Sequence, residues 1–461
     1  MGLNFPGVYN PLRSMVAEIA RLGAGDVYFC STDDRADDIE SISDDDSVRF
    51  VSLGPAKPGH NPAEWDQERY EELHPPSRLG SFSAYVRNAD FDYVRELYRR
   101  VDRVFDEVRP RLVLLESMCT FAMDAAMLRG IPFIISQPNP VSALMADRLP
   151  WSYPTPLSGL PLRMTLVQKV ENVLFRIARG ILMARPGLLR RAIPFFKERK
   201  AMGLPNPTMA PGRYVDAAAA VVGHSVFGLE YPFPKAPAHL RMYGAMIPPE
   251  RDWGDGTLKR WLDEHESVVF IGFGTMMRQT REQMLAILEA VAALGPDHHV
   301  LWKLPPAQRE RLPPGFVPPP NLRIEEWLPS QLSVLDHPHV KVFFNQAGGN
   351  ATHEGLYFGK PMLVLPFWLD CYDFAIRMVD SGAALKIDDP HRLDGRDIER
   401  RLRRLLEEPG FAGRGAGVGP EAAGCRRGHR GRPPRTGRDR AGPARIGRYG
   451  DGGTEPWLGR P

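Results

Sequence analysis

Four cysteines in 461 residues, Cys30, Cys119, Cys371 and Cys425, stand too far apart to pair as metal ligands or to build a disulfide framework. Such sparse usage fits a reducing cytoplasm. The chain also lacks an N-terminal signal pattern and any unbroken apolar run of about twenty residues, so neither secretion nor membrane spanning is expected. A cationic body is missing as well. The net charge is +3, but Ala412 to Pro461 carries eleven arginines against four acidic residues, a surplus of +7 that leaves about −4 for everything before it. That body gives no reason to expect a nucleic-acid partner.

What remains is a globular composition, 43% hydrophobic and 25% charged, in a chain long enough for two domains. Met1 to Pro6 holds only Leu3 and Phe5 as apolar residues, so a first strand would be cut short, as a misplaced start codon would make it. An amphipathic helix follows from Gly7 to Leu22, then a strand at Val27–Cys30, an acidic loop from Asp33 to Asp46, a strand at Val48–Leu53 and a long loop from Gly59 to Ser81. The helix Ala89–Val108 leads into Arg111–Glu116, a strand ending in a carboxylate. Ala122–Leu128 then reads as a helix and Pro132–Ile135 as a strand. This alternation predicts a parallel doubly wound sheet with ligands at the carboxyl ends of its strands.

Between Leu160 and Lys200 the pattern turns helical and basic. Two readings stand. The segment either packs on the sheet and covers a pocket, or lies against an anionic membrane surface. Val221–Ser225 closes the first domain, and the proline-dense stretch Tyr231–Glu250 reads as a linker. The expected organisation is a domain over 1–230 with a helical insert at 155–205, a linker over 231–250, a second domain over 251–409 and a disordered tail over 410–461. The tail's Gly, Arg and Pro content reads as an RNA-binding Arg/Gly segment or, more simply, as a frame shift in a GC-rich gene.

The second half is organised around Trp327 to Cys371. Strand-like Lys341–Asn345 runs into Gln346-Ala347-Gly348-Gly349-Asn350 and then a helical pattern containing Glu354, before the strand Pro361–Pro366 leads to Asp370-Cys371. A loop that opens a helix after a buried strand presents free N–H groups and a positive dipole end to a phosphate. Ser267–Thr275 is a second strand running into a small-residue turn, at Gly274-Thr275. Taken singly, Trp327 reads as a core or interface aromatic, Glu354 as a solvated helix residue and Asp370 as a helix cap. Only their joint spacing points to a nucleotide.

That spacing resembles the donor-binding signature of family-1 UDP-glycosyltransferases, and within them the bacterial enzymes acting on natural products, sterols and lipids. Trp327, Pro329, His337, Pro338, Gly348, Asn350, Glu354, Pro366 and Asp370 fall into the signature's places. The resemblance implies the GT-B architecture, an α/β fold of two Rossmann-like domains facing a cleft, and an inverting transfer from a UDP-sugar to a small lipophilic acceptor, with no metal or other cofactor. It implies a base stacked on Trp327, its edge read at Leu328, and ribose hydroxyls on Glu354. The diphosphate would lie on Gly274, Thr275, Gly348, Gly349 and Asn350, with sugar hydroxyls on Asp370. Gln331 stands one residue farther from Pro329 than in the tightest form of the motif. Gln346 replaces the family's phosphate-facing His, Ala351 its Ser, and Cys371 its sugar-binding Gln.

The first half departs more seriously. The family's base is a His oriented by an Asp, and those positions are Val8 and Glu116 here. Valine takes no proton. Either Glu116 acts as the base, or an acidic acceptor needs little help, or the protein is an impaired or auxiliary GT-B protein that binds without transfer. Val8, Asn10, Met118 and Phe121 are the acceptor-pocket candidates. A GT-B sugar epimerase would call for more acids and histidines between the domains than this chain offers.

Overall fold

Among the described residues every strand pairing is parallel, and the strands form three sheets. The computed structural model describes residues 1–2, 5–43, 47–61, 64–73, 77–248 and 251–411; the expected tail lies outside them except for its first two residues. In the first half β1 (Val27–Ser31) pairs with β2 (Val48–Ser52), and β3 (Val113–Glu116), β4 (Phe133–Gln137), β5 (Ala220–Gly223) and β6 (Leu240–Met242) follow one another in a second sheet. Two residues span the gap between these sheets. Gly2 donates its N–H to Cys30 O at 3.3 Å, while the Met1 ammonium donates to Leu114 O at 2.8 Å and Met1 O accepts from Glu116 N at 3.1 Å. Met1–Gly2 thus stands where a central strand would run.

The second half holds β7 (Val268–Gly272), β8 (His299–Lys303), β9 (Leu322–Glu325), β10 (Val340–Asn345), β11 (Met362–Val364) and β12 (Ala384–Lys386) in the order β12-β11-β10-β7-β8-β9. All five residues of β7 are buried, as expected of a strand covered by helices on both faces. The chain begins at β7, winds outward through β8 and β9, then returns past its start to β10. Strand order therefore reverses between β7 and β10, the place where open α/β sheets bind ligands.

Several sequence expectations need correction. The linker 231–250 contains β6, which extends the first sheet beside β5, so the first half reaches past residue 230. The expected loop Gly59–Ser81 contains the helix Gln67–Leu73 and the start of Arg78–Arg87. Trp65 and Tyr70 from it pack in the core of the second half, with Tyr70 stacked on Phe367 at 6.4 Å and its hydroxyl accepting from Arg278 N at 3.0 Å. The acidic segment Asp33–Asp46 folds into a 3-10 turn, Asp33–Arg35, and the short helix Ala36–Glu40, because Ile39 is apolar and fully buried. Residues 44–46 of that segment lie outside the described residues.

The halves are clasped by buried polar groups on the helix Cys371–Asp380. Arg377 donates to Glu230 Oε1 at 3.1 and 3.2 Å and to Ser142 Oγ at 2.9 Å, while Glu230 also accepts from Val141 N at 2.7 Å. Asp373 accepts from Leu157 N at 2.7 Å and Gly159 N at 2.9 Å, and Tyr231 donates its hydroxyl to Asp380. Arg377 and Glu230 are both nearly without solvent contact, so removing one partner strands the other charge. Arg377→Met is expected to lower stability by about 3–5 kcal/mol in urea unfolding. The double variant with Glu230→Gln should recover a substantial part of that loss; an unchanged midpoint for the single variant would remove the clasp from the fold's supports.

Candidate functional site

The turn after β7 and the turn after β10 lie side by side because Gly272 and Asn345 are register partners at the ends of their strands. Gly274 has φ +67°, in the left-handed region, and a Cβ there would run into the Gln346 amide. A Cβ on Gly348 would lie 2.8 Å from Gln346 Nε2. Gln346 therefore reaches across both turns, and the two glycines leave space for it and for a ligand. Its Oε1 is buried without a partner. Ala347 is held at φ +61° by its N–H donating to Asn345 Oδ1 at 2.8 Å. The helix Gly349–Tyr357 starts from Gly348 with no side-chain cap, so its first amides are available to an anion.

In front of these turns lies a cleft of about 320 Å³. Asn10, Arg13, Asp38 and His224 line it from the first half, and Asn350, His353 and Glu354 from the second. Met246, Ile247, Pro248 and Leu332 add apolar wall. The Glu354 carboxylate accepts from Gln331 Nε2 at 2.6 Å, and burial raises its pKa. Arg13 and Asp38 pair at 3.1 Å. Lys303 places its ammonium 4.0 Å from the Trp327 ring centroid and within electrostatic range of Glu354.

Of the expected site residues, Gly274, Gln346, Gly348, Gly349, Asn350, Glu354 and Gln331 therefore meet around the two turns and the cleft. Thr275 is exposed beside Gly274. Trp327 is 67% exposed and does not line the cleft; Leu328 turns its side chain into the core below. Asp370 opens the helix Cys371–Asp380 without a side-chain cap bond, and burial pushes its carboxyl up to about 7. Cys371 is buried, its thiol pushed up by desolvation.

The first-half expectations fare differently. Asn10 lines the cleft, but Val8 is buried in the helix Pro6–Arg21 and Phe121 is packed in the first-half core, where it can meet no acceptor. Met118 is part-exposed and stands outside the cleft lining. Glu116 is fully buried and accepts from Ser117 Oγ at 2.9 Å, Met118 N at 2.7 Å and Cys119 Sγ at 3.8 Å. Desolvation pushes its carboxyl up to about 7, a value suited to a base, yet it does not line the cleft.

Two residues that sequence reasoning passed over do. His224, at the end of β5, is 1% exposed; its Nε2 lies 2.9 Å from Ser136 Oγ and its Nδ1 has no partner. Ser136 Oγ also lies 3.8 Å from Met15 Sδ, and the tautomer of His224 sets whether its Nε2 donates to or accepts from that hydroxyl. His353, on the helix Gly349–Tyr357, is 6% exposed, edge-on to Phe374 at 5.4 Å, with Nε2 unpartnered. Burial lowers them to about 3 and about 4, and a charge on His353 further disfavours one on His224. Both imidazoles are neutral at pH 7. The sequence signal was weak, a His directly before Glu354 and one after a strand.

The family model described as UDP-glucoronosyl and UDP-glucosyl transferase matches residues 92–413. The chain belongs to this family. UDP-glucuronosyltransferase 2A3 of Cavia porcellus is 25% identical over 269 residues, 57% of this chain and 47% of that protein. UDP-glycosyltransferase 74C1 of Arabidopsis thaliana is 34% identical over 122 residues, 25% and 26% of the two chains. The chain thus spans half or less of the length of these two relatives. Among solved structures, the glycotransferase of kitacinnamycin superposes with a TM-score of 0.65 at 19% identity, covering 92% of this chain and 94% of that one. UDP-glucose: anthocyanidin 3-O-glucosyltransferase in complex with UDP gives 0.59 at 17%, covering 90% and 91%. These likenesses establish the GT-B fold.

An anion at the uncapped start of the helix Gly349–Tyr357 would lie against the two glycine turns, and Gly274→Ala tests that placement. The strained φ should lower stability by about 1–2 kcal/mol, and displacement of Gln346 should weaken UDP binding in calorimetry by roughly ten-fold. Unaltered UDP affinity would place the diphosphate elsewhere.

Proposed function

We propose that the chain is an inverting glycosyltransferase that moves a sugar from a UDP-sugar to a small lipophilic acceptor, a secondary metabolite or a lipid. The observation that carries this reading is the meeting of an uncapped helix N-terminus, two glycine turns and the Glu354 carboxylate at one strand-order reversal. In this reading the diphosphate rests on Gly274, Thr275, Gly348, Gly349 and Asn350, with the Gln346 amide beside it. Glu354, oriented by Gln331, takes the ribose diol, and Trp327 offers its open face to uracil while Lys303 covers the other. Asp370 and Cys371 stand on the sugar's side. Met246, Ile247, Pro248 and Leu332 give an acceptor the apolar wall that a lipophilic molecule needs. No metal is part of the scheme. The two relatives, a UDP-glucuronosyltransferase and a UDP-glycosyltransferase, support the donor class.

Inversion requires the acceptor oxygen to attack the anomeric carbon from the face opposite UDP. The carbon–oxygen bond to UDP breaks, its electron pair leaves on the β-phosphate oxygen, and the acceptor proton passes to a base. Asp38 is tied to Arg13 and Glu354 to Gln331, so His224 and His353, each with an unpartnered ring nitrogen, are the uncommitted bases among the residues lining the cleft. We assign them the role expected of Glu116. A bound diphosphate would stabilise the imidazolium and raise their pKa toward the ordinary histidine value.

Transfer and donor-hydrolysis assays over a panel of UDP-sugars test this reading. His224→Gln and His353→Gln should together lower kcat by about 10²–10⁴-fold. A base works only when unprotonated, so kcat/KM, which reports the free enzyme, should fall only as pH drops toward about 4 if the imidazoles serve. A limb near pH 7 that vanishes in Glu116→Gln would return the role to Glu116. UDP binding without turnover with any donor would favour the auxiliary protein.

A further inference from the structure

The helix Leu166–Met183 leaves most of its apolar residues outside. Its inward face buries Phe175 and is pinned by polar groups: Asn172 donates to Tyr153 O at 2.9 Å and Trp151 O at 3.1 Å, Arg176 to Thr155 Oγ1 at 3.1 Å, and Arg179 to Pro156 O at 2.8 Å. These bonds stop the helix from rolling. Its outward face carries Leu166, Val170, Leu174, Ile177 and Ile181, each between 47% and 79% exposed, at the spacing of a single helical stripe. A stripe of this length and exposure is a contact surface, since isolated exposed apolar residues are ordinary but a contiguous row is not.

Charge indicates what covers it. Lys169 on this helix and Arg190, Lys197 and Lys200 on the following helix Pro186–Ala201 are exposed and make no ion pair with any described residue. The acids of the two helices, Glu171 and Glu198, are already engaged by Arg78 and Arg95. The hairpin is therefore apolar along one helix and cationic along the next. A second copy docked through the same hairpin would bring like charge against like, and the arginine-rich stretch after Ala412 carries the same sign.

We propose that this hairpin docks on an anionic phospholipid surface, the stripe entering the headgroup boundary and the cations meeting lipid phosphates. No described helix is long and apolar enough to cross a membrane, so the contact is peripheral for these residues.

Vesicle flotation of the full chain tests it, using phosphatidylcholine vesicles with and without phosphatidylglycerol, alongside light scattering for mass in the absence of lipid. The protein should float with the anionic vesicles only. Val170→Asp/Leu174→Asp, at exposed positions where circular dichroism can verify the fold, should weaken binding by roughly ten-fold or more. Lys197→Glu/Lys200→Glu should do the same through charge. Failure to float with either vesicle, equal binding to both, or a lipid-free dimer that Val170→Asp/Leu174→Asp converts to monomer would overturn the proposal.

Discussion

The guanidinium of Arg377 sits where almost no water reaches, shared between Glu230 and Ser142 of the first half and the Asp373 carbonyl of its own helix. A buried ion pair adds little net stability against an apolar replacement, but it is strongly directional, because either charge left alone is costly. Its effect here is geometric. With Asp373 gripping the backbone at Leu157 and Gly159 and Tyr231 reaching Asp380, one helix of the second half is keyed into the first. The cleft depends on that key, since each half supplies only part of its lining.

Within this frame, strand order decides where chemistry can occur. The return of the chain past β7 to β10 opens a crevice at the strand ends, and the residues that fill it are those that follow directly: Gly274 after β7 and Gly348 to Glu354 after β10. The same rule holds in the first half, where His224 follows β5. Burial then tunes what arrives. Desolvation works against charge in every case, so it raises the carboxyls of Glu116, Glu354 and Asp370 and lowers His224 and His353. A carboxyl sealed behind Met1–Gly2 and three donors is thereby separated from two imidazoles that line the cleft and each keep an unpartnered ring nitrogen.

The hairpin of 166–201 follows a different logic. Its polar side chains satisfy carbonyls of the irregular stretch Pro150 to Pro156 and the Thr155 hydroxyl, and Leu166, Val170, Leu174, Ile177 and Ile181 stay outside. Hydropathy periodicity marks an amphipathic helix but carries no sign for which side faces in.

The sequence by itself determined the alternation of strands and helices, the glycine turns and the family, because each rests on local spacing: short β-branched runs, a small-residue turn, a helix start, and a fixed interval from Trp327 to Asp370. It also showed that Val8 cannot take a proton. Only the tertiary structure decided which groups share the cleft. His224 and His353 are 129 positions apart and belong to no local motif; they come together because the ends of two sheets face each other. Glu116 was legible as a strand-end carboxylate, but whether it faced solvent, cleft or core depended on Met1–Gly2 lying between β1 and β3, a contact that nothing in the local pattern encodes.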